Sequence, residues 1–261
     1  MKRVLPASFI CFLFITGSYW SAHSNTGSVI YFYNPETNIN NFATLKTAFD
    51  MYLVNHGGYY FQPFDNKEKF EAVVHEKKGD IYLLSSWHLK ALQQKNVPLK
   101  IALVGTSKGN TMQRKVLSTK KDIANVSMLK NTVVAGAGSE EYIQSVLKQI
   151  LGKEQEPLLK DIKILIVPKD IDAIMAVSFG MATAAISAES SLDKLAMINP
   201  NQFRELHGLG FSEKDYLLVA ATLKKPEQQE ASLLEVLRKM SEDAGEENLK
   251  LLGIDGWRAL Q

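Results

Sequence analysis

Ser85, Ser86 and Trp87 stand where an apolar run, 81–85, gives way to a stretch with helical spacing. Hydroxyls and backbone N–H groups gathered at a helix N-terminus face the positive end of its dipole, which suits a polar or anionic small molecule. Capping of the helix with no ligand is the plainer reading of the same serines. Gly136-Ala137-Gly138-Ser139 repeats the arrangement after the apolar run 132–135, with glycines that allow close backbone approach and a hydroxyl on Ser139. The place of a third glycine is held by Glu141, so this is no dinucleotide fingerprint. Glu140 and Glu141 would compete with an incoming anion for the same N–H groups. Tyr31, Tyr33 and Asn34 end the first strand, and alternation puts both tyrosines on one face, either lining a cleft or packing the sheet. Asp65 and Asn66 end the second strand, where they orient a hydroxyl or ammonium group or cap the next helix.

A catalytic reading also exists. Gly105-Thr106-Ser107-Lys108-Gly109 matches G-x-S-x-G, with Asp172 and His207 downstream in the order of an α/β-hydrolase. A nucleophile elbow needs a helix at once, and Asn110-Thr111 leads instead into the strand-like QRKVLST. A glycine-bounded turn is the preferred expectation, with a serine hydrolase using Ser107 as the alternative of another class. His56, His75, His88 and His207 show no pair at ligand spacing on one helix, so neither a metal nor a cofactor is expected.

The elements that must position these residues follow from periodicity. Strands are expected at 28–33, 59–64, 81–85 and 101–104, separated by helices at 41–55, 67–77 and 87–95. A second series has extended runs at 113–119, 132–135, 163–167 and 183–187, with helices at 139–151, 170–179 and 189–196. A strand at 216–222 and helices at 227–243 and 246–252 complete the chain, and Leu233, Leu234, Val236, Leu237 and Met240 form a core-facing stripe. Alternating strands and helices predict an α/β protein of mainly parallel sheets flanked by helices. Two such arrays predict two lobes joined by extended crossings near 105–112 and 210–219.

The chain has 261 residues, 46% hydrophobic and 22% charged, a globular balance that excludes disordered and disulfide-scaffold classes. Thirty basic against 28 acidic residues, with no basic run interleaved with aromatics, argue against a nucleic-acid partner. Lys2 and Arg3 precede an uncharged apolar stretch, 4–20, and Ala22-His23-Ser24 offers a cleavage site. A cleavable signal peptide at 1–24 and a mature, exported, non-spanning chain from Asn25 are expected. The single cysteine, Cys11, lies in that leader, which suits an oxidising periplasm.

Several segments in order carry a resemblance: Tyr31 to Pro35 opening the first strand; FEAVVHEKKGDIYLLSS at 70–86; Leu129-Lys130-Asn131-Thr132, like a "Leu-Lys-Gly-Lys" entry to a second lobe; and DAIMAVSFGMATAAI at 172–186. Together they resemble the phosphate/phosphite/phosphonate-binding periplasmic receptors of ABC importers, a branch of the type II solute-binding proteins. The resemblance implies a two-lobed type II fold, with 25–106 and 219–261 in one lobe and 107–218 in the other. It implies a protein that catalyses nothing, captures a phosphonate- or phosphate-like oxyanion or a diverged small metabolite between its lobes, and delivers it to an inner-membrane permease. A sensory receptor using the same cleft is the alternative. The ligand-binding residues it implies are Tyr31, Tyr33, Asn34, Asp65, Ser85, Ser86, Trp87, Met112, Gly138 and Ser139. Met112 stands where the family has an aromatic contact, and of the family's Ser/Thr-rich anion cradle Ser139 remains.

Overall fold

The computed structural model describes residues 28–36, 41–223 and 225–260, so the expected leader and Cys11 lie outside the described residues. β1 (Val29–Tyr33) alternates, and its two faces bury different partners. Ile30 and Phe32 pack with Phe49 of α1 (Phe42–Asn55) and Phe61 of β2 (Tyr60–Pro63), whose rings stack at 4.3 Å. Tyr31 and Tyr33 face Phe70 of α2 (Lys67–His75), Tyr82 of β3 (Ile81–Leu84) and Leu89 of α3 (Ser86–Gln94). Burying one such side chain contributes about 1.5–3 kcal/mol, so a single strand fastens helices to both faces of its sheet. Asn41, Asn66 and Ser85 start the three helices by accepting the backbone N–H of Thr44, Lys69 and His88.

The chain continues through β4 (Lys100–Thr106), β5 (Met112–Gln113), β6 (Lys115–Lys120), β7 (Val133–Ala137), α4 (Glu140–Gln155), β8 (Lys163–Val167), α5 (Asp170–Ser178) and β9 (Ala184–Ala188). It ends through α6 (Glu189–Ile198), α7 (Pro200–Arg204), β10 (Leu206–Phe211), β11 (Asp215–Tyr216), β12 (Val219–Thr222), α8 (Gln228–Lys239), α9 (Glu246–Leu251) and β13 (Gly256–Ala259). One sheet has the order β13-β4-β12-β3-β1-β2 and the other β10-β6-β9-β7-β8. Their strands run mainly one way, and the exceptions are informative. β12 lies antiparallel between β3 and β4, and β6 lies antiparallel between β9 and β10. β12 and β6 are each the first strand to enter their sheet after a crossing from the other, and β13, antiparallel to β4, is reversed at the sheet edge. The crossing segments themselves pair as a two-stranded ribbon, β5 with β11, in which Met112 is opposite Tyr216 and Gln113 opposite Asp215. The fold is α/β and two-lobed, with mixed, mainly parallel sheets flanked by helices.

Three elements escape the periodicity. β10 contains Gly208 and Gly210 around a register shift, which hides its apolar alternation. β13 is an edge strand whose Trp257 is buried while Arg258 and Ala259 are exposed. α7 is five residues long and buries none of its side chains. The expected strands 113–119 and 216–222 each divide into a ribbon strand and a sheet strand. α4 is assigned to Gln155, yet Gly152 has φ 68°, so its regular turns stop near the expected residue 151. Leu233, Leu237 and Met240 are fully buried in the core cluster that also holds Ile30 and Phe32, with α8 packed against β13 and β4, as their spacing predicts.

Candidate functional site

The segment after β1, Asn34-Pro35-Glu36, joins the two halves of the molecule. The Asn34 side chain accepts the Glu36 N–H at 2.9 Å, which turns the backbone. Pro35 O then accepts the N–H of Ser139, at the start of α4, at 2.7 Å. Gly138 has φ 108°, and a Cβ there would collide with the Pro35 carbonyl, so both its conformation and its closeness require glycine. Glu36 is 7% exposed. Its carboxylate accepts hydrogen bonds from the Tyr142 hydroxyl of α4 at 3.2 Å and from Nε2 of Gln113 in the ribbon at 3.3 Å. Burial pushes this carboxyl up to about 7, against the pull of Lys115 and of the Tyr142 and Ser85 hydroxyls, with Asp215 adding a smaller upward push.

Glu36 borders two spaces. A void of about 30 Å³, room for a water molecule, lies toward Trp87, Tyr142 and Asp215. A cavity of about 370 Å³ lies on the other side, within the size range of small-molecule sites. Phe32, Asn34 and Ile254 line it from the six-stranded half, and Lys115, Ala137, Lys169 and Asp170 from the five-stranded half. Lys115 is buried and held by Asp170 at 3.0 and 3.2 Å, and Asp170 also accepts the Ala188 N–H at 2.6 Å.

The residues singled out in the sequence separate into those that meet here and those that do not. Asn34 lines the larger cavity. Trp87 lines the smaller void and reaches α4: its Nε1 donates to Ser145 Oγ at 2.8 Å, and its ring meets Tyr142 edge-on at 5.6 Å. Ser86 Oγ donates to the Tyr216 carbonyl of β11 at 2.8 Å. Ser85 caps α3 and offers its hydroxyl to Glu36. Gly138 and Ser139 lie against Pro35, and the Ser139 hydroxyl accepts the Tyr142 N–H at 3.2 Å as the cap of α4. Tyr33 is buried against Phe70 and His88, and its hydroxyl is pushed up to about 12, by burial first and then by Glu68, Glu141 and Glu71.

Of the expected ligand residues Asn34 and Trp87 line these spaces, whereas Tyr31, Tyr33, Asp65, Ser85, Ser86, Met112, Gly138 and Ser139 line neither. Tyr31 lies two residues before the strand end and packs on Phe64 and Tyr82. Asp65 faces solvent near Lys69, because Asn66 does the capping. Met112 sits on the narrow ribbon and is 43% exposed. Conversely, Glu36, Gln113, Lys115, Tyr142 and Asp170 were not predicted. Glu36 and Tyr142 are 106 residues apart in sequence, and a carboxylate following proline reads as a turn until the partner helix is placed.

Ser107 is not on a nucleophile elbow. Ser107 and Asn110 exchange backbone hydrogen bonds at 2.8 and 3.0 Å, and Lys108 and Gly109 between them have φ 50° and 78°. That is a two-residue hairpin turn, the glycine-bounded turn that was expected. Asp172 accepts the Lys169 N–H at 3.1 Å as part of the cap of α5, and His207 is opposite Thr119 in the β10–β6 pair.

No protein-family model and no curated protein matches this chain. Among solved structures it is similar to XAC2383 from Xanthomonas citri bound to chloride ion, at 13% identity and TM-score 0.64, over 90% of this chain and 92% of that one. XAC2383 bound to ATP gives a TM-score of 0.61 at 14% identity, again over 90% of this chain and 92% of that one. A binding protein component of an ABC phosphonate transporter from Pseudomonas aeruginosa, PA3383, gives a TM-score of 0.61 at 13% identity, over 90% of this chain and 82% of that one. PhnD1 from Prochlorococcus marinus in complex with methylphosphonate gives 0.59 at 13% identity, over 90% and 93%. The likeness is one of structure, and it establishes that this chain has the two-lobed fold of the periplasmic binding proteins.

Proposed function

We propose that this chain is an exported, non-enzymatic solute-binding protein that captures a small polar molecule between its two lobes and delivers it to an ABC permease in the inner membrane. The observation that carries this reading is the cavity of about 370 Å³ lined from both sheets. A binding protein of an ABC phosphonate transporter sharing the fold supports it. In this reading residues 25–106 with 219–261 move as one lobe and 107–218 as the other. The β5–β11 ribbon is the hinge, since a two-residue strand pair has few hydrogen bonds to resist bending. A ligand touching both lobes favours the closed state by its differential affinity for the two states. Among the described residues no helix is long and apolar enough to cross a membrane.

Native mass spectrometry of the protein purified from its own periplasm tests the reading. The expected result is a chain starting near Asn25 with a small molecule attached that leaves on activation. A chain that retains Met1 and carries no small molecule would overturn it.

A further inference from the structure

We infer that the ligand presents a cation, an ammonium or guanidinium group, to Glu36, and that Glu36 sets this preference. The inference rests on the cleft-binding reading above and names the ligand class of that same cavity.

The places an oxyanion would use are taken by the chain itself. At the start of α4 the Ser139 N–H is given to Pro35 O and the Tyr142 N–H to Ser139 Oγ, and Glu140 and Glu141 fill the first turn. The group that lies where α3 and α4 begin, touching the hydroxyls of Ser85 and Tyr142, is the carboxylate of Glu36. An added phosphate would therefore meet a resident anion and few free donors. Four of the five cations lining the two spaces are matched: Lys115 by Asp170, Lys90 by Asp215, Arg114 by Glu189, and Lys250 by Glu246 and Glu247. Lys169 is exposed at the rim. Glu36 differs from all of these acids. It is 7% exposed, has no ion-pair partner among the described residues, and receives the Tyr142 and Gln113 hydrogen bonds on one oxygen, Oε2.

A buried carboxylate with no ion-pair partner is costly to ionise, and that cost is what a ligand cation would reduce. The adjoining cavity of about 370 Å³ has room for such a molecule. Charged and titratable groups face Glu36 from each element around it: Lys115 on β6, Tyr142 on α4 and Asp215 on β11, with Asp170 beyond Lys115. Of these Lys115 is the cation, and Asp170 already holds it. Cation binding should consequently weaken as pH falls and Glu36 takes up a proton.

The test is calorimetric titration of the mature protein, freed of any co-purified molecule, at about pH 8 and about pH 5. Putrescine and agmatine serve as cation probes, and methylphosphonate and inorganic phosphate as anion probes. The expected result is that a cation probe binds at the higher pH, more weakly at the lower, and that neither anion probe binds. Glu36→Gln should weaken the cation at least about tenfold, and Glu36→Asp, which keeps the charge, should recover part of the loss. Melting curves of both variants verify that they fold. Methylphosphonate or phosphate binding that Glu36→Gln leaves unchanged or tightens would overturn the inference and leave the receptor reading standing. Silence from all four probes would also overturn it, and the receptor reading falls as well only if native mass spectrometry finds no bound molecule.

Discussion

The N-termini of α3 and α4 begin from the same sequence signal, a serine closing a strand and opening a helix, and they end in different surroundings. At α3 the first turn carries no acid, and its side chains reach outward: Ser86 to the Tyr216 carbonyl, Trp87 to Ser145 on α4. At α4 the first turn holds Glu140 and Glu141, and the end is covered by Pro35 and Glu36 arriving from β1. A capped helix end is thus an anion site only if nothing else in the chain reaches it first. The comparison teaches that the covering segment, more than the serine, decides what each end can do.

The largest expected effect comes from the covering segment itself. Glu36 titrates at about 7 in the folded protein against 4.5 as the unperturbed value. Between those two values the native state holds the proton that the unfolded state has released, so stability falls as pH rises through that window. The shift corresponds to about 3 kcal/mol at about 1.4 kcal/mol per pK unit. Urea unfolding at the two ends of the window should show this loss, and Glu36→Gln should remove most of it. An unchanged pH slope in that variant would mean that another group carries the dependence.

Next in size is Gly138→Ala. The added methyl meets the Pro35 carbonyl at a backbone angle of φ 108°, so the variant should lose about 1–3 kcal/mol. A melting temperature equal to that of the parent would show that Pro35 does not press on this turn. Smaller effects separate the two caps. Ser139→Ala removes the Tyr142 cap and should cost about 1 kcal/mol. Ser85→Ala should cost more, because the fully buried Ser85 serves both the His88 N–H and the Glu36 carboxyl. Equal costs would remove Ser85 from the Glu36 network. Trp87→Phe breaks the Ser145 hydrogen bond and should cost about 1 kcal/mol or less. It should also abolish most of any ligand-induced change in tryptophan emission, whereas Trp257→Phe, altering a residue in the core of the six-stranded half, should keep it. Retention of the change by Trp87→Phe would place the reporter elsewhere.

Much of this architecture is legible in the sequence because it depends on local spacing. The strand alternation of β1, the asparagine and serine caps and the glycine that ends α4 are all read within about a turn of chain. Asn131 is a further case. It stands where the resembling family has the glycine of its "Leu-Lys-Gly-Lys" entry, and its φ of 60° is a conformation asparagine shares with glycine. The site was legible only in part. Ser85, Trp87 and Ser139 announce themselves as helix starts, but their neighbours are chosen by long-range pairing. Gln113 meets Glu36 across 77 residues and Lys115 meets Asp170 across 55. β10 and β13 were missed for a related reason: strands with glycines or a single buried side chain are made by their neighbours' edges, which spacing does not encode.

Small-angle scattering tests most directly the claim that the two halves close on a molecule between them. The protein carrying its native ligand, verified by mass spectrometry, is compared with the same protein after the ligand has been removed by unfolding and refolding. The account predicts a smaller radius of gyration with ligand, as the halves turn about the β5–β11 ribbon. Superimposable curves, with ligand present in one sample and absent from the other, would contradict it.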